Sequence, residues 1–185
     1  MIILCGPSGS GKTTLAKHLL NKMPNLSFSI SATTRPKREG ETHQKDYHFL
    51  SVDDFKVKIE ESEFVEFEEV YNGIFYGTLK SELQRIWDEK RIPVLDIDVI
   101  GALNIKKNFA PAALAVFVHP VSLENIKSRL QKRATESAES YDKRIARAAH
   151  ELSLAPEFDK IIFNDNLQDA LEIGELYIKE YLDEN

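Results

Sequence analysis

Cysteine is almost missing from this 185-residue chain, since Cys5 is the only one. No disulfide framework is possible, so we expect a reducing compartment and a small buried hydrophobic side chain at Cys5. Basic residues are no more abundant than acidic ones (24 against 30, net charge −6), which argues against a protein that coats nucleic acid. The longest apolar stretch, 109–118, is interrupted by Pro111 and is too short to span a bilayer. We therefore expect a soluble, cytoplasmic protein that binds neither nucleic acid nor membranes.

The length and composition are typical of a single α/β domain with insertions. With 42% apolar residues, the chain has enough hydrophobic side chains for a sizeable core. It contains no internal repeat and no low-complexity tract.

A glycine-rich turn follows the first apolar run. Residues 6–13 have the spacing G-x-x-x-x-G-K-[ST], between a predicted strand at 2–5 and a helical pattern that begins near Lys12. In such a loop the backbone N–H groups and the helix N-terminus bind phosphate oxygens, Lys12 reaches the β- and γ-phosphates, and the Thr13 hydroxyl binds Mg²⁺. The spacing predicts an ATP site. The alternative is a flexible Gly/Ser turn before an ordinary helix, which requires neither the lysine nor the hydroxyl at these positions.

Apolar runs at 92–98, 114–118 and 160–164 are typical of buried parallel strands, and 26–30 alternates as a half-buried strand does. Two helical stripes are predicted to pack inward, one of Leu83, Ile86 and Trp87, the other beginning at Leu167 in the last helix. Asp98 ends the strand at 92–98. It is predicted either to face the Mg²⁺-phosphate site or to cap the following helix, and both roles are compatible.

Residues 31–80 have a different sequence pattern, which predicts short strands without the intervening helices that are typical of a parallel sheet. We predict a small β-rich subdomain inserted into the α/β body, with 31–41 as a loop. Arg35 and Arg38 in this loop suit bidentate contacts to a phosphate, although spacing alone favours a solvated basic loop. Glu66 and Glu68 present carboxylates on one strand face, which is alternatively an ordinary solvent-facing side.

Arginines flank a polar stretch at 134–140. Arg129 and Arg133 lie four residues apart, and Arg144 and Arg147 lie three apart. This pattern indicates a lid that closes over transferring phosphates and expels water. The alternative is a surface helix hairpin with Glu–Arg pairs.

Taken in order, the segments GPSGSGKTT, SISATTRPKREGE, KDYHFL, FVEFEEV, FYGT, LDID, RLQKRAT and FND resemble the guanylate kinase family along essentially the whole chain. The resemblance implies an α/β fold of the P-loop NTPase type, with a three-layer core around a parallel sheet (about 1–30, 81–130 and 148–185). A β-rich GMP-binding insertion (about 31–80) and a helical lid (about 131–147) complete it. The implied reaction is the Mg²⁺-assisted transfer of a phosphoryl group from ATP to GMP, in a monomer or a homodimer.

The resemblance also implies roles for individual residues. The ATP contacts that it implies are Gly6, Pro7, Ser8, Gly9, Ser10, Gly11, Lys12, Thr13, Thr14, Arg133 and Asn164. The GMP contacts that it implies are Ser31, Arg35, Arg38, Tyr47, Glu66, Tyr76, Thr78, Asp98 and Arg144. Within this set, Ser31, Glu66 and Thr78 read the guanine, Lys12, Arg133 and Arg144 act in catalysis, and Thr13 and Asp98 lie at the metal.

Two positions depart from the family pattern, Ile100 where glutamine is frequent and Ala134 where glycine is frequent. Neither carries a charge. Three other functions fit parts of the pattern: a peptide-binding module of the same fold, a P-loop kinase acting on a sugar phosphate, and a P-loop NTPase that hydrolyses ATP for motion. The intact phosphate loop argues against the first, and the combination of Ser31, Glu66 and Thr78 argues against the second.

Overall fold

The computed structural model of the protein describes residues 1–71, 73–121 and 138–184, and for Tyr71 and residues 138–144 it describes the backbone alone. Its centre is a sheet of five parallel strands in the order β2-β7-β1-β8-β9. These strands are β1 (Ile2–Cys5), β2 (Leu26–Phe28), β7 (Ile92–Asp96), β8 (Leu114–His119) and β9 (Lys160–Phe163). The α/β class with a parallel core sheet is therefore confirmed.

Helices cover both faces of this sheet. They are α1 (Lys12–Lys22), α3 (Lys80–Asp88), α4 (Val99–Phe109), α5 (Ala138–Ser153) and α6 (Leu167–Glu184), with short 3₁₀ turns at Ala110–Ala112 and Ala155–Glu157. Because side chains alternate along a strand, β1 directs Ile2 and Leu4 toward α1 and α6, and Ile3 and Cys5 toward α3 and α4. Both faces are buried, which is why the core strands have continuous apolar runs.

A second sheet contains four short strands in the order β4-β3-β6-β5. Its elements are β3 (Ala32–Thr33), β4 (His48–Phe49), β5 (Phe64–Tyr71) and β6 (Ile74–Leu79), and α2 (Val52–Glu60) packs on it. Phe55 of α2 is fully buried and stacks on Phe64, with 4.4 Å between ring centroids. We call this unit the small sheet. Its four strands all lie within residues 31–80, the region that was predicted as an insertion.

Two segments of the chain connect the small sheet to the core. The first runs through Ile30, whose N–H donates a hydrogen bond to the Glu82 carboxylate at 3.1 Å. Burial of Glu82 favours its neutral form, but hydrogen bonds from Arg85 and the Ile30 N–H outweigh this and lower its pKa to about 2. His48 adds to this effect from 3.8 Å, beyond hydrogen-bond distance. The second connection is α3, which follows β6 directly.

Several local predictions were wrong. Residues 32 and 33 form a strand inside the predicted loop, because they pair with β6 and β4. Trp87 is 42% exposed, since the inner face of α3 passes through positions 82, 83 and 86 and thus carries Glu82 instead. Leu167 is 49% exposed because it begins α6 beyond the edge of the sheet.

Cys5 is buried, as predicted, and burial raises the pKa of its thiol well above the usual value. Within the described ranges, none of the helices combines the length and apolar character that crossing a membrane requires.

Candidate active site

A cavity of about 650 Å³ lies at the carboxyl ends of the core strands, facing the small sheet. In an open parallel sheet this is the edge at which ligands bind. The predicted site residues that line it are Gly6, Ser8, Gly9, Gly11, Lys12, Thr13, Thr14, Ser31, Arg35, Arg38, Tyr47, Glu66, Tyr76, Asp98 and Asn164. The structure thus brings the two predicted nucleotide subsites into one cavity.

The glycine-rich loop between β1 and α1 has left-handed backbone at three of its residues. Gly6, Gly9 and Gly11 have φ of 137°, 83° and 109°, which side-chain-bearing residues rarely adopt. Gly11 is the N-cap of α1, and a Cβ there would lie 2.2 Å from Nδ2 of Asn164. The glycines are therefore required both by the turn and by close packing, as in a phosphate-binding loop.

Lys12 folds back onto its own loop. Its ammonium donates hydrogen bonds to the carbonyl oxygens of Gly6 at 2.8 Å and Pro7 at 3.2 Å. The charge is thereby held at the mouth of the loop, where the sequence predicts the phosphates of ATP.

Thr13 donates a hydrogen bond from its hydroxyl to Oδ2 of Asp96 at 2.6 Å. Asp96 is the last residue of β7 and lines the cavity. The sequence placed Asp98 with Thr13 at the metal, which stays a prediction, and the structure adds Asp96 as the carboxylate that contacts Thr13. The available signal was the end of the apolar run, since Asp96 directly follows Leu95 and Asp98 already lies beyond the strand.

Asp98 caps α4. Its Oδ1 accepts hydrogen bonds from the N–H groups of Ile100 at 2.9 Å and Gly101 at 3.1 Å. The predicted capping role is thus present, and Asp98 also lines the cavity. Its Oδ1 lies 3.7 Å from Nη2 of Arg147, a residue outside the predicted set.

Arg35 is 8% exposed and forms a two-pronged ion pair with Glu41, at 2.7 and 2.5 Å. Its guanidinium lies over the Tyr47 ring, 4.8 Å from the centroid. The Arg38 N–H also donates to Glu41 at 2.8 Å. The hydrogen bonds from Arg35 lower the pKa of Glu41 to about 2, so this carboxylate is ionised at neutral pH. Sequence reasoning missed Glu41, and its spacing of six residues from Arg35 in a loop gave no signal.

Glu66 is 7% exposed, and its carboxylate accepts a hydrogen bond from the Thr78 hydroxyl at 2.7 Å. Burial raises the pKa of Glu66 to about 7, against the lowering effect of Thr78 and with a further raising effect of Asp98. Thr78 itself is fully buried and is not among the cavity-lining residues, because its hydroxyl is directed at Glu66. Leu79 is the N-cap of α3, and the contact of Thr78 with guanine stays a prediction.

Gly101 lies against the Glu66 carboxylate at the first turn of α4. A Cβ at Gly101 would be 2.5 Å from Oε2 of Glu66 and 3.7 Å from Oδ2 of Asp98. The close approach of the Glu66 carboxylate to this helix therefore depends on the glycine, whereas Asp98 lies at ordinary contact distance.

Asn164 directly follows β9 and is 4% exposed. Its Nδ2 donates to the Ser10 carbonyl at 2.7 Å, which ties the glycine-rich loop to the end of β9. Its Oδ1 has no hydrogen-bond partner among the described residues. A buried acceptor of this kind is available to a donor group of a ligand in the cavity.

Residues 131–137 of the predicted lid, Arg133 among them, lie outside the described residues. Arg144 belongs to α5, in the part for which only the backbone is described. The catalytic roles of both arginines stay predictions. Pro7 and Ser10 belong to the loop without lining the cavity.

Together, a glycine-rich loop at the start of α1, a lysine and a threonine behind it, and an aspartate at the end of a neighbouring parallel strand define a nucleotide-binding protein of the P-loop class. The family model described as guanylate kinase matches residues 1–181. The chain belongs to the guanylate kinase family.

Individual relatives agree with this assignment. A guanylate kinase of Bacteroides fragilis is 46% identical over 182 residues, which cover 98% of this chain and 89% of the relative. A guanylate kinase of Porphyromonas gingivalis is 46% identical over 173 residues, which cover 93% of this chain and 92% of the relative.

Solved structures give the same result. The crystal structure of guanylate kinase from Anaplasma phagocytophilum matches with a TM-score of 0.76 and 29% identity, over 98% of this chain and 85% of that one. Shikimate kinase from Acinetobacter baumannii matches with a TM-score of 0.52 and 15% identity, over 100% of this chain and 93% of that one, and shares the fold alone.

Proposed function

We propose that this protein transfers the γ-phosphoryl group of ATP to GMP, which gives ADP and GDP. The observation that carries the proposal is the composition of the cavity. It contains a phosphate-binding loop, a buried arginine and a buried carboxylate, represented by Lys12, Arg35 and Glu66. These groups match the donor phosphates, the acceptor phosphate and the guanine edge respectively.

Glu66 is the guanine-reading group. Guanine presents N1–H and N2–H₂ as adjacent donors, and an ionised carboxylate accepts from both. The Thr78 hydroxyl orients that carboxylate from behind, and the Ser31 hydroxyl in the cavity wall donates to O6. Adenine inverts this pattern, because its N1 lone pair faces the carboxylate.

The acceptor phosphate binds to Arg35 and Arg38 with the hydroxyls of Tyr47 and Tyr76. The Glu41 carboxylate occupies the guanidinium fork of Arg35. Glu41 fixes the plane of this guanidinium, and Arg35 then shares its donors between Glu41 and the phosphate.

Mg²⁺ bound with ATP is the proposed cofactor. Thr13 and Asp96 supply a hydroxyl and a carboxylate that already lie within 2.6 Å of each other. Among the described residues there is no group of three or more His, Cys, Asp or Glu that forms a complete metal site. This fits Mg²⁺, which proteins usually hold through one or two side chains together with water and substrate phosphates. When bound, Mg²⁺ neutralises charge on the donor phosphates.

The reacting oxygen belongs to GMP. Its phosphate is largely ionised at neutral pH, so the oxygen attacks the γ-phosphorus without a protein base, while the bond to the bridging oxygen of ADP breaks and its electron pair stays on ADP. No histidine lines the cavity in the described part of the chain. Catalysis therefore depends on alignment of the two phosphates and on the charges of Lys12, Arg133 and Arg144.

Neither the peptide-binding module nor the sugar-phosphate kinase is favoured. A peptide-binding module has no use for the loop at residues 6–13, and a kinase for sugar phosphates has no use for a buried Glu66. We further propose that the enzyme works in the cytoplasm, which agrees with a lone, buried and reduced Cys5.

The test is kcat/KM for GMP, AMP, CMP and UMP at fixed ATP and Mg²⁺, with the wild type and Glu66→Ala. We expect GMP to be preferred over AMP by roughly 10⁴-fold, because buried polar groups are left unpaired by the wrong base. Glu66→Ala should lose most of this preference. Similar wild-type values for GMP and AMP, or an unchanged ratio in the variant, would contradict the proposal.

A further inference from the structure

Arg147 lies on α5 at the point where this helix meets both sheets. Three of its nitrogens contact three different parts of the chain. Nε donates to Oε1 of Glu151 at 2.7 Å, Nη1 donates to the Val70 carbonyl oxygen at 2.8 Å, and Nη2 lies 3.7 Å from Oδ1 of Asp98. The sequence analysis placed Arg147 only within the arginine pattern of the lid, and the proposed mechanism gives it no role.

The contacts of Arg147 connect the elements that hold the acceptor site. Val70 is in β5, the strand that carries Glu66, and both residues line the cavity. Asp98 belongs to the core, at the N-cap of α4. The planar guanidinium therefore joins the small sheet to the core through α5.

The positive charge of Arg147 stabilises the ionised form of the carboxylates around it. Glu151 is 5% exposed, and burial raises its pKa while the hydrogen bond and charge of Arg147 lower it. Burial and Asp98 raise the pKa of Glu68, and Arg147 lowers it. Without the guanidinium, the carboxylates of Glu68, Asp98 and Glu151 would repel one another, and the contact between β5 and α4 would loosen.

The position of β5 relative to α4 matters most near Glu66. The carboxylates of Glu66 and Asp98 both lie close to the same residue of α4, Gly101. A shift of β5 along α4 would therefore change the distance between two groups that line the acceptor side of the cavity.

We propose that Arg147 is a positioning residue that holds the small sheet in register with Asp98 and thereby sets the affinity for the acceptor nucleotide. The proposal rests on the proposed function, in which that nucleotide is GMP. It assigns Arg147 no contact with the transferring phosphate.

The test variant is Arg147→Lys, which keeps the positive charge but cannot make three directed contacts from one planar group. The matched control is Arg91→Lys. Arg91 donates to the Leu26 carbonyl and pairs with Glu89, at the opposite end of the core strands from the cavity. Each arginine has a carbonyl hydrogen bond and an ion pair, so the two substitutions are chemically matched.

We expect Arg147→Lys to raise the KM for GMP about tenfold while the KM for ATP and kcat change less than about threefold, since one charge-assisted hydrogen bond is lost on the acceptor side. Arg91→Lys should leave both KM values unchanged. An unchanged KM for GMP, or equal rises for both substrates, would overturn the proposal. A fall in kcat alone would also overturn it, since that result indicates a contact made only in the transition state.

A second measurement needs no substrate. Amide hydrogen exchange in β5 and β6 should be faster in Arg147→Lys than in the wild type and in Arg91→Lys, and equal exchange would count against the coupling. Failure of the wild type to phosphorylate GMP would refute the proposed function, while the exchange experiment still tests the link. If Arg147→Lys does not fold, Glu151→Gln weakens the same network more mildly and should raise the KM for GMP in the same direction.

Discussion

Glu66 keeps an ionisable group inside the protein, with a pKa raised to about 7 by burial. Only its ionised form accepts hydrogen bonds from both guanine donors. As the pH falls below 7, a growing share of the substrate-free protein carries a neutral Glu66, so the KM for GMP should rise by up to about tenfold per pH unit. Steady-state kinetics between pH 5.5 and 8.5, at saturating ATP, measure this.

Glu66→Gln supplies the control for this pH profile, because an amide does not titrate in this range. Its KM for GMP should be high and should not follow the wild-type rise below pH 7. If the wild type and Glu66→Gln showed the same pH dependence, the titrating group would have to be another one, such as the GMP phosphate.

Lys12 is the cation that lies against the phosphate-binding loop. Lys12→Ala should lower kcat by roughly 10²-fold or more with little change in unfolding temperature, because the lysine counters charge that develops on the phosphates. Lys17→Ala, an exposed position on the same helix, is the matched control and should keep normal turnover. Near-normal kcat in a folded Lys12→Ala protein would refute this role.

At the residue scale, the sequence predicted which side chains line the cavity better than it predicted which side chains contact each other. The loop motif fixes Lys12 and Thr13 by spacing alone, and both line the cavity. The partners Asp96 and Glu41 depend on which strand end and which loop residue come near in space. Spacing in the sequence does not encode that proximity when the intervening loop has no regular period.

The packing of the first turn of α4 depends on the absence of a side chain at Gly101. Gly101→Ala should gain roughly 1 kcal/mol of helix propensity but push the Cβ into the Glu66 carboxylate. We therefore expect a KM for GMP at least about tenfold higher with an almost unchanged KM for ATP, because a displaced carboxylate loses its hydrogen bonds to guanine. Both KM values, with the unfolding temperature, test this.

Gly174→Ala is the matched helical control. A Cβ at Gly174 would lie 2.6 Å from the Leu15 side chain, where α6 packs on α1. This change should lower the unfolding temperature and leave the ratio of the two KM values intact. A comparable change of that ratio in both variants would mean that Gly101 acts through general stability.

The elements that sequence periodicity predicted best are the long ones. Core strands and helices match within a few residues because their apolar side chains repeat over many positions. The inward stripe of α3 was the exception. Ile86 and Trp87 are adjacent, so they cannot share one narrow face, and the position that the pattern gave to Trp87 belongs to Glu82. A buried carboxylate that binds the Ile30 N–H cannot be distinguished from a surface glutamate by its neighbours in the sequence.

At the scale of the whole molecule, the parallel core could be predicted from apolar runs that alternate with helical stripes. The small sheet could be predicted only as a region. Its strands β3 and β4 have two residues each, which is too short for an alternating pattern, and their pairing joins segments far apart in the chain.

The ion pair between Arg35 and Glu41 also affects how GMP approaches from a distance. Because Glu41 is ionised at neutral pH, it cancels the long-range field of the guanidinium before any substrate arrives. In a protein of net charge −6, GMP therefore meets little electrostatic attraction at the mouth of the site. We expect kcat/KM for GMP to change less than about twofold between 0.05 and 0.3 M salt, and to depend more steeply on ionic strength in Glu41→Gln, where the positive charge is uncovered. Equal salt dependence of the two proteins would contradict this. If the expected difference is found, the enzyme recognises GMP by direct contacts rather than by long-range electrostatic steering. Its association rate with GMP is then almost independent of ionic strength.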